Sequence, residues 1–191
     1  MRRLIGITGG IGSGKSVVAR IARCNGFFVY DCDLEARRLM QEDSRLVACL
    51  KSLLGEEAYL DDNSLDRKYV ASRIFREADL REKVNNLVHS AVKEDFLRFA
   101  ESKDSKVFVE SAILFSSHLA EVCDSVWMVI APEEVRISRV MARNNVSADE
   151  VKERIRVQSE EFSCLPEEKT EFLDNGGEVP ILEKILKLLD E

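Results

Sequence analysis

The chain has 191 residues, 45% of them hydrophobic, and a formal net charge of −7 from 28 Lys and Arg against 35 Asp and Glu. That length permits one sizeable core with an insertion. The negative charge repels polyanions, so a nucleic-acid partner is not expected, and an anionic substrate must be held by local cations and backbone dipoles. The five cysteines, Cys24, Cys32, Cys49, Cys123 and Cys164, form no C-x-x-C pair, which argues against a disulfide framework or a zinc site and predicts reduced, mostly buried thiols. With His89 and His118 as the only imidazoles, a metal cluster built from protein ligands is not expected. No apolar run approaches the length of a membrane span, and the chain enters a core strand by about residue 3. Neither a signal peptide nor a membrane partner is therefore expected, and the setting is read as the cytoplasm.

The first apolar run, Leu4 to Thr8, predicts a core strand in which Gly6 marks a close backbone approach. It leads into Gly9-Gly10-Ile11-Gly12-Ser13-Gly14-Lys15-Ser16, a full match to G-x-x-x-x-G-K-[ST], and then into a helical stretch beginning near Lys15 that Gly26 ends. Strand, loop and helix in that order read as a triphosphate cradle. The glycines let successive N–H groups point inward, Lys15 supplies a mobile cation for the β- and γ-phosphates, and the Ser16 hydroxyl can hold Mg²⁺. A second strand, Phe27 to Tyr30, ends in Asp31-Cys32-Asp33. In an open parallel sheet these carboxylates stand at the carboxyl edge beside the phosphate loop. One can orient an attacking hydroxyl and finally accept its proton, while the other holds a metal-bound water. Either one, taken singly, also fits a cap on the helix that follows.

Residues 36 to 103 show no strand pattern and are expected to be wholly helical. Leu80, Val84, Leu87, Val88, Ala91, Val92, Phe96 and Phe99 follow 3.6-residue spacing, the mark of an amphipathic helix with a core stripe. A crossover connection needs a single helix, so an insertion of this size predicts a subdomain that covers substrate. A third strand, Val107 to Val109, ends at Glu110. That is the shape of a Walker-B carboxylate, and equally of an ordinary strand end. A fourth strand, Val126 to Ile130, precedes a helical region from Glu133 to Glu161 with a cap at Ser147 and Glu150 three residues on. Arg136, Arg139 and Arg143, at i, i+3 and i+7, project from one side of it. They make either a solvated face or, beside a phosphate loop, cations that close over transferring phosphoryl oxygens. A fifth strand, Glu171 to Leu173, is followed by an amphipathic helix within Val179 to Glu191, with Ile181, Leu182, Ile185, Leu186 and Leu189 read as core. The alternation of apolar runs and helical patterns predicts an α/β fold with a parallel five-stranded sheet flanked by helices.

The extended start from Ile5 to Ser16, the Asp31-Cys32-Asp33 pair, Leu65-Asp66-Arg67, Val88-His89, the Arg136 to Arg143 region, Gln158 and the late Asp174-Asn175-Gly176-Gly177 together resemble the dephospho-coenzyme A kinase family over nearly the whole chain. The phosphate loop alone is common to many families. Its extension back to Thr8, joined to the paired aspartates and the late Asp-x-Gly segment, is more specific. The resemblance implies a P-loop NTPase fold of the nucleotide-kinase kind. Its nucleotide-binding core would comprise residues 1–35, 104–135 and 165–191, its helical coenzyme A-binding insertion residues 36–103, and its helical lid residues 136–164. It further implies transfer of the γ-phosphoryl of ATP to the ribose 3′-hydroxyl of dephospho-CoA, with ATP and Mg²⁺ as cofactors, by a monomer or weak homo-oligomer.

Carried over to matching positions, the resemblance gives Asp33, Lys15 and Arg139 catalytic roles. It assigns nucleotide binding to Thr8, Gly9, Gly10, Ile11, Gly12, Ser13, Gly14, Lys15, Ser16 and Val17, with Arg143 and, toward the adenine, Asn175. It assigns the metal to Ser16 and Asp31. The chain departs from the family at Ala112-Ile113-Leu114-Phe115-Ser116, which lacks the usual proline and acid, at Ser90, where proline commonly follows the histidine, and at Arg136, where glutamine is common. A nucleoside monophosphate or small-metabolite kinase would share the cradle, but the large insertion argues against the small-metabolite kinases. A GTP-dependent switch would need an N-K-x-D element, which the chain lacks, and its one D-x-x-G, Asp174 to Gly177, lies about 160 residues beyond Lys15.

Overall fold

The structure, a computed structural model, describes residues 2–163, 165–177 and 179–190, for Glu167 the backbone alone. The chain divides into two compact units, Met1–Tyr30 with Ala100–Glu191, and Asp31–Phe99.

The first unit is built on a five-stranded sheet of β1 (Leu4–Thr8), β2 (Phe28–Asp31), β3 (Val107–Glu110), β4 (Ser125–Ile130) and β5 (Thr170–Asp174), in the order β2-β3-β1-β4-β5. β1 pairs in parallel with both β3 and β4, and β4 in parallel with β5. The α/β class and the five expected strands are borne out, with Phe27 falling just before β2. β1 is buried at all five positions, which is why its sequence is a continuous apolar run and not an alternating one. Helices α1 (Lys15–Cys24), α6 (Glu133–Asn144), α7 (Ala148–Gln158) and α8 (Ile181–Asp190) belong to this unit.

The core of the unit joins Ile5 and Ile7 of β1 to Val18, Ala19 and Ala22 of α1, Phe108, Trp127, Val129 and Leu173 of the sheet, and Ile185 and Leu189 of α8. Phe108 meets Phe27 and Trp127 edge-on, at centroid distances of 5.7 and 5.0 Å. Burial of each large side chain contributes about 1.5–3 kcal/mol, so the β1–α1 sandwich is fixed before the loop between them has to be. The C-terminal helix forms as expected, but Leu182 and Leu186 are 46% and 37% exposed. Ile185 and Leu189 face the core; the other two flank that stripe at its edges. The helical region after β4 is two helices, broken where Asn145 takes the left-handed conformation at φ 52°. Ser147 and Glu150 form the expected reciprocal cap on α7.

The second unit contains α2 (Cys32–Glu42), α3 (Ser44–Leu54), α4 (Arg67–Arg76) and most of α5 (Ala78–Glu101). Asp31 caps α2 through Leu34 N–H, Asp43 caps α3 through Arg45 and Leu46 N–H, and Asp66 caps α4 through Lys68 and Tyr69 N–H. The expected stripe on α5 buries Leu80, Val84, Val92 and Phe96. Residues 55–66 correct the wholly helical expectation. They fold back as a loop with an antiparallel bridge between Tyr59 and Leu65, turning where Asp62 accepts from Ser64 N–H and Oγ and where Asn63 has φ 61°. Tyr59 is buried there and donates to the Met40 carbonyl at 2.7 Å; burial pushes its phenol up to about 12. Arg38 links α2 to α5 by donating to Glu35 at 2.5 Å and Asp95 at 2.7 Å.

The thiols are not mostly buried. Cys32 and Cys123 are, whereas Cys24 and Cys49 are exposed, and Cys164 lies outside the described residues. Burial pushes the Cys123 thiol up to about 12, so it is a packing group and not a nucleophile. Among the described residues no helix is long and apolar enough to cross a membrane.

Gly6 is where the sequence expectation of close packing meets a specific neighbour. A Cβ there would lie 2.6 Å from Leu114 Cδ2 and 3.3 Å from Cys123 Sγ, both on fully or nearly buried residues. Gly6→Ala is expected to cost about 1–3 kcal/mol, read as a melting temperature lower by roughly 2–4 °C per kcal/mol; an unchanged melt would contradict the packing described.

Candidate active site

The phosphate loop leaves the carboxyl end of the central strand β1 and enters α1. Gly9, Gly12 and Gly14 have φ of 149°, 78° and 101°. The latter two need the left-handed freedom that glycine has at little steric cost. The loop also has no room for side chains. A Cβ on Gly9 would collide with the Val129 carbonyl, one on Gly10 with Arg136 Nη1, and one on Gly14 with Asn175 Nδ2; one on Gly12 would lie 2.6 Å from the Arg136 carbonyl. Neighbouring elements therefore press directly on bare backbone along most of the loop.

Several of its carbonyls are taken up by side chains. Lys15 Nζ donates to Gly9 O at 2.6 Å and to Gly10 O at 3.4 Å. Asn175 Nδ2 donates to Ser13 O at 2.8 Å, and Arg139 reaches both Ser13 O at 3.5 Å and Asn175 O at 2.9 Å. Ser13 N–H closes a turn onto Gly10 O at 3.1 Å. Ile11 N–H donates to Gln158 Oε1 at 2.8 Å.

What the loop offers is the start of α1. Helices α2, α3, α4 and α7 carry Asp or Ser caps, whereas α1 begins at Gly14 with no side-chain cap and no acid in its first turn. Its first N–H groups and the positive end of its dipole remain for an anion. The buried side-chain polar atoms that lack a partner among the described residues are Thr8 Oγ1, Ser13 Oγ and Arg136 Nε. All three flank this loop, and buried groups left unpaired are rare enough to need a reason. Donors so placed beside the start of α1 are suited to an anionic ligand.

The expected site residues separate into groups. Thr8, the loop from Gly9 to Ser16, Arg136, Arg139 and Asn175 are brought together. Val17 follows on α1 and is 47% exposed. Arg143 stands apart: it is exposed in the last turn of α6, and its Nε donates to Asn144 Oδ1 at 3.0 Å. The side chain of Asn175 goes to the loop backbone. Ile11 is in the loop, and its N–H is committed to Gln158. Asp31 Oδ1 accepts from Leu34 N–H at 3.0 Å as a helix cap, and Asp33, in the first turn of α2, is exposed. β3 lies between β1 and β2 in the sheet, so it is the Glu110 strand and not the aspartate strand that runs beside β1, with Glu110 level with Ile7. Sequence spacing pointed to neither the Gln158 nor the Glu161 contact: the Glu161 carboxylate accepts from Phe115 and Ser116 N–H at 2.7 and 3.2 Å. His118 pairs with Glu121 at 2.7 Å, away from the loop.

The dephospho-CoA kinase family profile matches residues 3–179. A dephospho-CoA kinase of Porphyromonas gingivalis is 43% identical over 160 residues, covering 83% of this chain and 79% of its own. One from Bacteroides fragilis is 38% identical over 189 residues, covering 97% and 90%. Among solved structures, that of TT1252 from Thermus thermophilus superposes with a TM-score of 0.79 at 33% identity, covering 98% of this chain and 95% of its own. Profile, relatives and loop architecture converge: the chain belongs to the dephospho-CoA kinase family, nucleotide-using kinases of P-loop fold.

Proposed function

We propose that this chain transfers the γ-phosphoryl group of ATP to the ribose 3′-hydroxyl of dephospho-CoA, giving CoA and ADP. The observation that carries the reading, beside family membership, is the uncapped start of α1 ringed by three buried polar atoms without partners among the described residues. In this reading the loop backbone from Gly12 to Ser16 and the start of α1 receive the phosphates, with Ser13 N–H spent on the Gly10 carbonyl and Val17 N–H on the Gly14 carbonyl, and Lys15 and Arg139 supply positive charge where the transferring oxygens gain negative charge. Thr8 and Ser13 take their missing partners from the same ligand. Asp33 aligns the 3′-hydroxyl and accepts its proton late, since a loose transition state does not require early deprotonation. Residues 36–103 serve as the acceptor-binding insertion and residues 136–164 as a lid, with Arg143 and Asn175 completing the nucleotide site.

Mg²⁺ fits the donor set only as a companion of the nucleotide, because among the described residues no group of three His, Cys, Asp or Glu is placed to hold a metal. Ser16 and Asp31 would hold it, Asp31 through a metal-bound water. Bound there, it would neutralise charge on the phosphate oxygens. The reading places the reaction in the cytoplasm and treats the chain as a monomer or weak homo-oligomer.

The decisive assay is ADP release with dephospho-CoA compared against adenosine, AMP and shikimate. Dephospho-CoA is expected to be preferred strongly, and equal turnover with AMP would replace this reading with a nucleoside monophosphate kinase. Asp33→Asn is expected to lower kcat by roughly 10²-fold or more while ATP binding changes little, because the residue meets the acceptor; near-normal turnover would remove that role. Lys15→Ala should weaken both ATP binding and turnover. For Gly12→Ala, the Arg136 carbonyl and the positive φ together predict ATP binding weakened by about tenfold or more, measured by titration calorimetry. Unchanged affinity would show that the loop tolerates a side chain there.

A further inference from the structure

Gln158 is the last residue of α7, and its side chain bonds two backbone groups that no helix or sheet ladder serves. Oε1 accepts from Ile11 N–H at 2.8 Å, and Nε2 donates to the Ala112 carbonyl at 3.1 Å. The partners fix which way the amide points, since the N–H requires the oxygen and the carbonyl requires the nitrogen. Three residues on, the Glu161 carboxylate holds Phe115 and Ser116 N–H. The end of α7 and the 3-10 turn after it, Ser159–Phe162, thus grip residues 112–116 by three bonds and the phosphate loop by one.

We infer that Gln158 is a positioning residue for phosphoryl transfer, its single amide locking the crest of the phosphate loop to the segment that follows β3. The inference rests on the nucleotide-binding reading of that loop. Ile11 lies between Gly10 and Gly12, residues without side chains to anchor the crest. The other neighbours act on Gly9, Gly10, Gly12, Ser13 and Gly14, so Gln158 supplies the hold at Ile11 itself. Without it the Ile11 N–H loses its partner, and the phosphate-binding N–H groups that follow in the chain lose a fixed starting point. The same amide makes any shift of α7, or of residues 112–116, felt at the loop. Both a donor and an acceptor are needed, which a carboxylate or a thioether does not offer.

The test uses Gln158→Glu and Gln158→Met in the full chain, with ATP affinity in the presence of Mg²⁺ measured by titration calorimetry. In Gln158→Glu the ionised carboxylate can accept from Ile11 but repels the Ala112 carbonyl; its protonated form restores the donor. This variant is expected to bind ATP about thirtyfold more weakly than wild type at pH 8, and the deficit to narrow at pH 5.5, because the facing Ala112 carbonyl disfavours the ionised form and raises the introduced carboxyl above the ordinary value. Wild type measured at both pH values is the control, since Glu153, Arg154, Glu160 and Glu161 line the adjoining cavity of about 590 Å³. Gln158→Met, similar in size but lacking both bonds, is expected to show a deficit with the pH dependence of wild type, and both variants to melt near the wild-type temperature. Wild-type affinity in either variant at pH 8, or a Gln158→Glu deficit that does not move with pH, would overturn the inference. So would loss of folding in both variants, which would make Gln158 a core brace. Failure of the wild-type chain to bind ATP would instead remove the nucleotide reading on which it rests.

Discussion

A loop that binds phosphate through its main chain must keep N–H groups clear of internal partners and yet hold one shape. The two demands conflict, because ordinary secondary structure fixes backbone by pairing those same groups. This chain meets both by holding the loop mainly through its carbonyls and its glycine surfaces, with the N–H groups of Ile11 and Ser13 given up to internal partners. Lys15 takes the carbonyls of Gly9 and Gly10, and Asn175 and Arg139 take that of Ser13. Val129 O, Arg136 and Asn175 stand where side chains on Gly9, Gly10, Gly12 and Gly14 would be. The glycines are therefore fixed twice over, by backbone conformation at Gly12 and Gly14 and by the closeness of their neighbours throughout.

That arrangement accounts for how a chain of net charge −7 can attract a polyphosphate. The long-range field opposes the approach, but fields from exposed charges fade within about 8–10 Å at ordinary ionic strength, whereas the start of α1 acts at contact. The absence of a cap and of an acid in the first turn of α1 matters for the same reason. A side-chain carboxylate there would stabilise the helix and compete with the ligand.

The inner strands β1, β3 and β4 were legible because they are largely buried, and burial writes itself into sequence as an apolar run, whereas the edge strands β2 and β5 bury one residue each and leave a shorter signal. The caps at Asp66 and at Ser147 with Glu150 were legible because capping is local chemistry. Periodicity gives an angle and not a height: seven residues advance a helix by roughly 10 Å, which carries Arg143 to the final turn of α6 while Arg136 and Arg139 meet the loop. The turn at residues 55–66 went unseen because the Tyr59 hydroxyl finds its acceptor on Met40, a contact that no local pattern encodes. Gln158 and Ile11, 147 positions apart, lie further still from anything spacing could reveal.

The unpaired atoms at the site also tie binding to stability. Thr8 Oγ1, Ser13 Oγ and Arg136 Nε are buried without partners among the described residues, and each such group costs about 1–3 kcal/mol while it stays so. Arg136 places a full charge against Gly10, where the bare backbone leaves room for it. An anion in the loop relieves that cost in the folded state and has no comparable site in the unfolded chain, so ligand binding and folding reinforce each other. The same groups that make the loop costly by itself make the filled one specific, because a ligand without charge or acceptors at those positions leaves the cost in place.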